Sequence, residues 1–395
     1  MEVKYVENPK VNEKVVEIIG ELKEEIVSRF HPKSVILSGS FGRGEATVVE
    51  INGKLKFLSD CEVILVPNWY IFRRDDIKEF YKHFRKKTGL KVDISGTFLS
   101  FQLMIPILRK FKPTINNYDL KYGSKTIYGK DYLKMIPDFK PGDIPIWEGI
   151  RLLFNRMVEA LEHFSIDDPT EEMVFWIDKI ILACQDALLL SQGKYHPSYR
   201  ERNKVFSKLF STQFNLKING SRFLELTREA TERKLNGCPI VEQPLEYWFE
   251  TMNICDKVFR YIIKKDMQIE FSDYLEFQEK YLSHYKLREY TRLPFGNPMG
   301  QNFWSLMKQL IVYKKLPSLK LIRKFTTYWA HIVYSTIPLI YFGLSRQMKI
   351  NERYLTQVMN TLLLFGEKNL SYNDPLEGWK YARKQVLKYW RQMCW

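Results

Sequence analysis

The most constraining stretch of the chain is residues 34–94, where three short apolar runs are separated by turn and helix signals. Ser34 to Ser38 reads SVILS, Cys61 to Val66 reads CEVILV, and Leu90 to Ser95 reads LKVDIS. A short apolar run bounded by turn residues reads as a buried strand. Between the first two runs, Thr47 to Ile51 and Lys54 to Leu58 flank Asn52-Gly53. Asn-Gly accepts the positive φ angles of a type I′ turn, so this text predicts a hairpin. Arg74 to Thr88 predicts a helix, and Val15, Ile18, Ile19, Leu22, Ile26 and Phe30 recur at helical spacing ahead of the first strand. The order helix, strand, hairpin, strand, helix, strand predicts a small α/β unit with a mixed sheet.

The acidic residues of this stretch sit where such a sheet ends. Side chains alternate faces along a strand, so Asp60 and Glu62 project together while Cys61 points away. Asp93, between Val92 and Ile94, is expected on the same edge. Three converging carboxylates repel one another unless a cation neutralises them, and oxygen-only ligation suits Mg²⁺, with substrate phosphates filling further positions. Glycines beside the first strand let backbone N–H groups approach a phosphate closely.

Gly39-Ser40 after a strand, then Asp60-Cys61-Glu62-Val63, then Val92-Asp93-Ile94, resembles the signature of the polymerase β-like nucleotidyltransferase superfamily. The resemblance covers roughly the first 140 residues closely. It implies transfer of a nucleoside monophosphate from a nucleoside triphosphate to an acceptor hydroxyl, with two Mg²⁺ ions (Mn²⁺ as a substitute) held by Asp60, Glu62 and Asp93. Asp93 would take the acceptor proton, and Gly39 and Ser40 would contact the phosphates. Lys179, from a second, helical domain, is a further nucleotide-binding candidate the resemblance suggests, and Arg43 either reaches phosphate or sits on the loop surface. Two departures stand out. The interval from Ser40 to Asp60 is longer than in compact versions of the motif, the Asn52-Gly53 hairpin accounting for the excess, and the second carboxylate is Glu.

Beyond Pro145 the text turns helical: Glu148 to His163, Glu171 to Ser191, Tyr199 to Phe210, Arg222 to Leu235, and a long stretch ending near Asp266. A break at Leu293-Pro294-Phe295-Gly296-Asn297-Pro298 precedes a last helical region. The expected domains are a nucleotidyltransferase head over 1–142, a helical domain closing the cleft over 143–285, and a basic, aromatic-rich helical domain over 286–395. Trp176, Lys179, Ile180, Cys184 and Leu188 share one helix face, where Lys179 reads either as a phosphate contact or as a snorkelling surface lysine. Glu45 reads as a solvated loop residue, and residues 193–200 as a helix-to-helix loop rich in groups able to stack or bind phosphate.

Charge narrows the partners. The chain carries 61 Lys and Arg against 46 Asp and Glu, a net +15. Residues 282–395 hold 18 basic and 5 acidic residues, so nearly all the excess lies there. Lys380, Arg383, Lys384, Lys388 and Arg391 recur at steps of three and four on one predicted helix. This asymmetry points to an anionic partner, RNA first (tRNA especially) and a membrane surface second. Nucleotidylation of a small-molecule or protein hydroxyl, and a non-catalytic nucleotide-sensing module, are the alternatives. Five scattered cysteines without a CxxC pair argue against a disulfide framework or a zinc site and fit a cytoplasmic setting. The six histidines show no metal-ligand spacing, and the aromatic pairs Tyr328-Trp329 and Tyr389-Trp390 read as core. Thr326 to Ser345 lacks charge but is diluted by hydroxyls, His331 and Pro338, which predicts a buried helix rather than a bilayer span.

Overall fold

The computed structural model describes residues 3–68, 74–94, 102, 103, 105, 111–237, 241–288, 290, 298–313, 317–324, 327–367, 372 and 374–394. The chain groups into two compact units, each considered by itself. The first comprises Met1–Pro145, Gln192–Phe214 and Leu224–Pro239; the second comprises Ile146–Ser191, Asn215–Phe223 and Ile240–Trp395.

The first unit opens with helix α1 (Pro9–Phe30), started by the Asn8 side chain accepting from the N–H groups of Lys10 and Val11 and stopped by His31 in the left-handed conformation. Then come β1 (Ser34–Ser38), the short α2 (Gly39–Arg43), the hairpin β2 (Val48–Ile51) and β3 (Lys54–Phe57), β4 (Cys61–Val66), α3 (Arg74–Thr88) and β5 (Val92–Ile94). Asn52 and Gly53 have φ of 50° and 76°, the geometry that the Asn-Gly text required. The hairpin forms its own two-stranded sheet rather than joining the main one. Helix α4 (Ile115–Gly123) leads into β6 (Lys125–Gly129). The main sheet runs β5-β4-β1-β6, with β1 antiparallel to β4 and β6, and β4 parallel to β5.

Both faces of this sheet are covered. Val35, Leu37, Cys61, Val63 and Leu65 pack with the apolar stripe of α1 (Val15, Ile19, Leu22, Ile26) and with Phe80 and Phe84 of α3. Ile36, Ile64 and Val66 pack on the other side with Leu120 of α4, Leu133 and Ile136. Each such side chain contributes about 1.5–3 kcal/mol by leaving water, and this explains why β1 and β4 read as unbroken apolar runs instead of alternating. Glu62 is the single residue of β1 and β4 that is not buried.

The second unit begins with α5 (Trp147–His163) and α6 (Glu171–Ser191). Helices α7 (Tyr199–Gln213) and α8 (Gly220–Asn236) follow, and α7 and most of α8 belong with the first unit rather than with the helical middle. The remaining described helices are α9 (Pro244–Met267), α10 (Tyr274–Ser283), α11 (Pro298–Ile311), α12 (Leu319–Ile322), α13 (Trp329–Tyr341), α14 (Glu352–Leu364) and α15 (Pro375–Met393). The uncharged stretch forms α13, whose residues are all buried against α5, α10, α14 and α15. Among the described residues no helix is long and apolar enough to cross a membrane. Helix α15 is tied into the same unit: the Trp379 indole donates to Ile340 O at 3.0 Å and the Trp390 indole to Asn155 Oδ1 at 3.0 Å. Residues 286–395 therefore share one core with α5, α6 and α9. The break at residues 293–297, Cys238, Lys314, Lys315 and Thr326 lie outside the described residues.

Glu45 is buried, not solvated. Its carboxylate accepts from Ser198 Oγ at 2.6 Å and from the N–H groups of Tyr199 and Arg200 at 2.9 and 3.3 Å, so it closes the positive end of α7. Arg43 Nε stands 3.9 Å from the same carboxylate. The segment after β1 is thereby fastened to α7. Glu45→Ala leaves these buried donors unmet and should lower unfolding stability by about 2–3 kcal/mol. Denaturant titration of the variant, with Glu45→Gln as the milder comparison, checks this.

Candidate active site

The site is a row across one end of the main sheet. Ser38 on β1 pairs with Glu62 on β4, and Glu62 pairs with Asp93 on β5. Residues paired in register share a face, so the side chains of Glu62 and Asp93 leave adjacent strands on the same face. Asp60, two residues before Glu62, belongs to the same face by alternation. Tyr81 of α3 steadies the outer strand: its hydroxyl accepts from Ile94 N at 2.6 Å, beside Asp93.

Gly39 sets where Glu62 lies. It has φ of +62°, and a Cβ there would meet the Glu62 carboxyl carbon at 2.7 Å and its oxygens at 2.8 and 3.0 Å. Any other residue would be strained and would displace the carboxylate. Glu62 as a residue is exposed, yet its carboxyl end lies against this backbone. Desolvation, the largest cause, raises its proton affinity above the usual carboxylate range, Asp93 and Asp60 add to the rise, and Arg43 and Lys234 oppose it. Burial, with Glu62 and Asp60 adding to it, pushes the Cys61 thiol up, so it is an inert core group.

The remaining sequence candidates have defined places. Ser40 is buried in the first turn of α2. Asp60 is half-exposed and bonded to Lys91 Nζ at 2.8 Å. Arg43 is largely covered, 3.7 Å from Asp119 and over the Tyr199 ring. Burial is the largest influence and works against its charge, but Asp119, Tyr199 and Tyr195 together more than restore it. In the second unit, Lys179 places its ammonium 3.7 Å from the Trp176 ring centroid and 4.4 Å from that of Phe175, a cation–π arrangement.

Lys234 of α8 carries no motif, yet its ammonium is within electrostatic reach of Glu62, Glu45 and Arg43, and burial lowers its proton affinity. It donates to Ser59 Oγ at 3.4 Å and to Thr47 Oγ1 at 3.5 Å. Thr47 Oγ1 in turn donates to Lys234 O, while Thr47 N donates to Ser59 Oγ at 2.9 Å. The base of the extra hairpin thus seats α8 beside the carboxylates. Its sequence signal is absent, because α8 lies about 140 residues beyond Asp93 in the chain.

On α15, Arg383 donates to Phe164 O at 2.9 Å and Lys388 to Glu367 at 2.6 Å, and Arg391 pairs with Glu162. Lys380 and Lys384 are exposed. The basic stripe is thereby mostly committed to its own unit. Tyr328, Trp329, Tyr389 and Trp390 are buried core residues, as is His331, whose proton affinity burial drives down to about 4.

Among the described residues, no three His, Cys, Asp or Glu side chains stand together as a ready metal cage. The oxygen-only donor set and the mutual repulsion felt by Glu62 nevertheless fit a hard divalent cation. Compared with known proteins, the chain matches no family model, no curated protein and no solved structure.

An acid with raised proton affinity in the folded state stabilises the fold below its unfolded value and loses that contribution as pH rises through the folded value. Without divalent cations, stability should therefore fall as pH climbs from the normal Glu range through the elevated value of Glu62. Glu62→Gln should flatten this fall and raise the neutral-pH melting temperature. Thermal unfolding from pH 4 to 8, about the span in which a raised carboxyl titrates, measures both effects.

Proposed function

We propose that the first unit is the catalytic head of a divalent-cation-dependent nucleotidyltransferase. The observation that carries this reading is the row Ser38, Glu62, Asp93, with Gly39 pressed against Glu62 and with Asp93 and Asp60 adding to the raised proton affinity of Glu62. The order α1, β1, α2, hairpin, β4, α3, β5 supports it, because it brings the Gly-Ser turn and all three acids to one end of the sheet.

Asp60, Glu62 and Asp93 would hold two Mg²⁺ ions, or Mn²⁺ in their place. Such ions, when bound, neutralise the triphosphate and the attacking and leaving oxygens of an in-line displacement. Asp93 accepts the proton of the acceptor hydroxyl as its oxygen bonds to the α-phosphorus and the bond to pyrophosphate breaks. Gly39, Ser40 and the adjoining backbone face the outer phosphates, and Lys234 balances the negative charge behind Glu62. Arg43 acts from behind, holding the segment after β1 in shape through Asp119 and Glu45.

For the acceptor we propose an RNA hydroxyl, on the strength of the net +15 and of exposed Lys380 and Lys384. The test is incubation with Mg²⁺, each nucleoside triphosphate labelled at the α-phosphate, and cellular RNA. Label should enter RNA with release of pyrophosphate, and Asp60→Ala, Glu62→Ala and Asp93→Ala should each reduce transfer by about a hundredfold or more. Label entering protein or a small molecule instead would move the acceptor class and keep the chemistry. Binding of nucleotide with no pyrophosphate from any acceptor would overturn the enzymatic reading in favour of a sensor.

A further inference from the structure

Helix α11 is built inside out. Asn302, Ser305 and Gln309, at helical steps on one face, are buried at 0%, 9% and 5% exposure. Two of the inward side chains are engaged: Asn302 donates to Thr327 O at 2.8 Å and accepts from Trp329 N at 2.9 Å, and Gln309 donates to Met393 Sδ at 3.3 Å. On the helix Met299 and Phe303 are half-exposed and Ile311 is 67% exposed, and Val312 and Leu319 after it are 60% and 76% exposed. A helix on a water-facing surface does the reverse, burying its apolar stripe and exposing its polar one. More than half of the exposed large hydrophobic side chains among the described residues fall between residues 299 and 322.

Charge gives the second, independent observation. Residues 290–351 contain nine Lys and Arg and no Asp or Glu. Lys320, Arg323 and Lys324 are exposed next to Leu319 and Ile322. An outward apolar strip edged by cations alone matches a medium that is hydrocarbon within and anionic at its rim. Symmetric pairing of two copies through this face would set like charges together. Phe303 and Tyr313 are the exposed aromatics of the strip; its other six exposed side chains are not aromatic, and nucleic acid offers these no apolar layer to enter.

We propose that residues 299–313 and 317–324 form a docking surface for anionic lipid membranes, lying in the headgroup layer with Ile311, Val312 and Leu319 inserted and Lys320, Arg323 and Lys324 at lipid phosphates. The contact is peripheral, as no described helix spans. It does not depend on the nucleotidyl-transfer reading, since every residue it uses lies in the second unit.

Co-sedimentation of the full chain with vesicles tests it. The protein should pellet with mixed phosphatidylglycerol and phosphatidylcholine vesicles, stay in solution with phosphatidylcholine alone, and be released by high salt. The double variant Ile311→Glu, Leu319→Glu changes exposed positions and should fold normally by circular dichroism, yet lose about tenfold or more in vesicle binding. Lys320→Gln and Lys324→Gln should each weaken binding about fivefold. Three results would overturn the proposal: no pelleting of wild type with the mixed vesicles, equal pelleting of the double variant, or a lipid-free dimer that the double variant dissociates. RNA binding abolished by the double variant would do so too, by assigning the face to nucleic acid.

Discussion

A sheet strand covered on both faces leaves no room for a charge, and that constraint organises the first unit. β1 and β4 are buried at every position except Glu62. The helices α1 and α3 close one face, and α4 with its following turn closes the other. At the one end where the second cover stops, the chain places a glycine instead of a side chain, and Glu62 fills the space. The carboxylate is thereby half-withdrawn from water with a second acid registered beside it. Such an arrangement is costly in isolation.

Ion pairs and caps add to the apolar packing of Phe41, Ala46 and Val48 that holds the site in place. Glu45 closes the start of α7, Arg43 lies between Glu45 and Asp119, and Lys234 joins α8 to the hairpin base. These three links gather helices distant in sequence around the end of β1. The extra hairpin, which reads in the sequence as a mere lengthening of the interval between Ser40 and Asp60, supplies the seat for α8.

Local text carried the strands and most helices because local physics settles them. SVILS and CEVILV form β1 and β4 with the expected bounds, Asn52-Gly53 turns as its chemistry demands, and 74–88 and 171–191 are helical as their periodicity indicates. Strand β6 was not legible: it is a sheet edge with intermediate and exposed residues and no apolar run. Tertiary partners were not legible either. Nothing in the sequence near Glu45 announces that it caps a helix more than 150 residues away, nor that Lys234 faces Glu62. The same limit applies to the basic stripe on α15, where spacing located the cations but not the carbonyl and carboxylates that engage three of them.

The way α15 closes the second unit bears on the order in which the protein assembles. Its Arg383 and Trp390 bond to Phe164 and Asn155, partners separated by 219 and 235 residues. The central helix α13 is buried on all sides, and one of those sides is α15. A ribosome releasing the chain from its start exposes α5 and α6 long before α15 exists, leaving their apolar faces uncovered in the interval. The first unit needs nothing beyond residue 239 and can settle earlier. The unit carrying the inside-out helix therefore cannot be completed until α15 has been made.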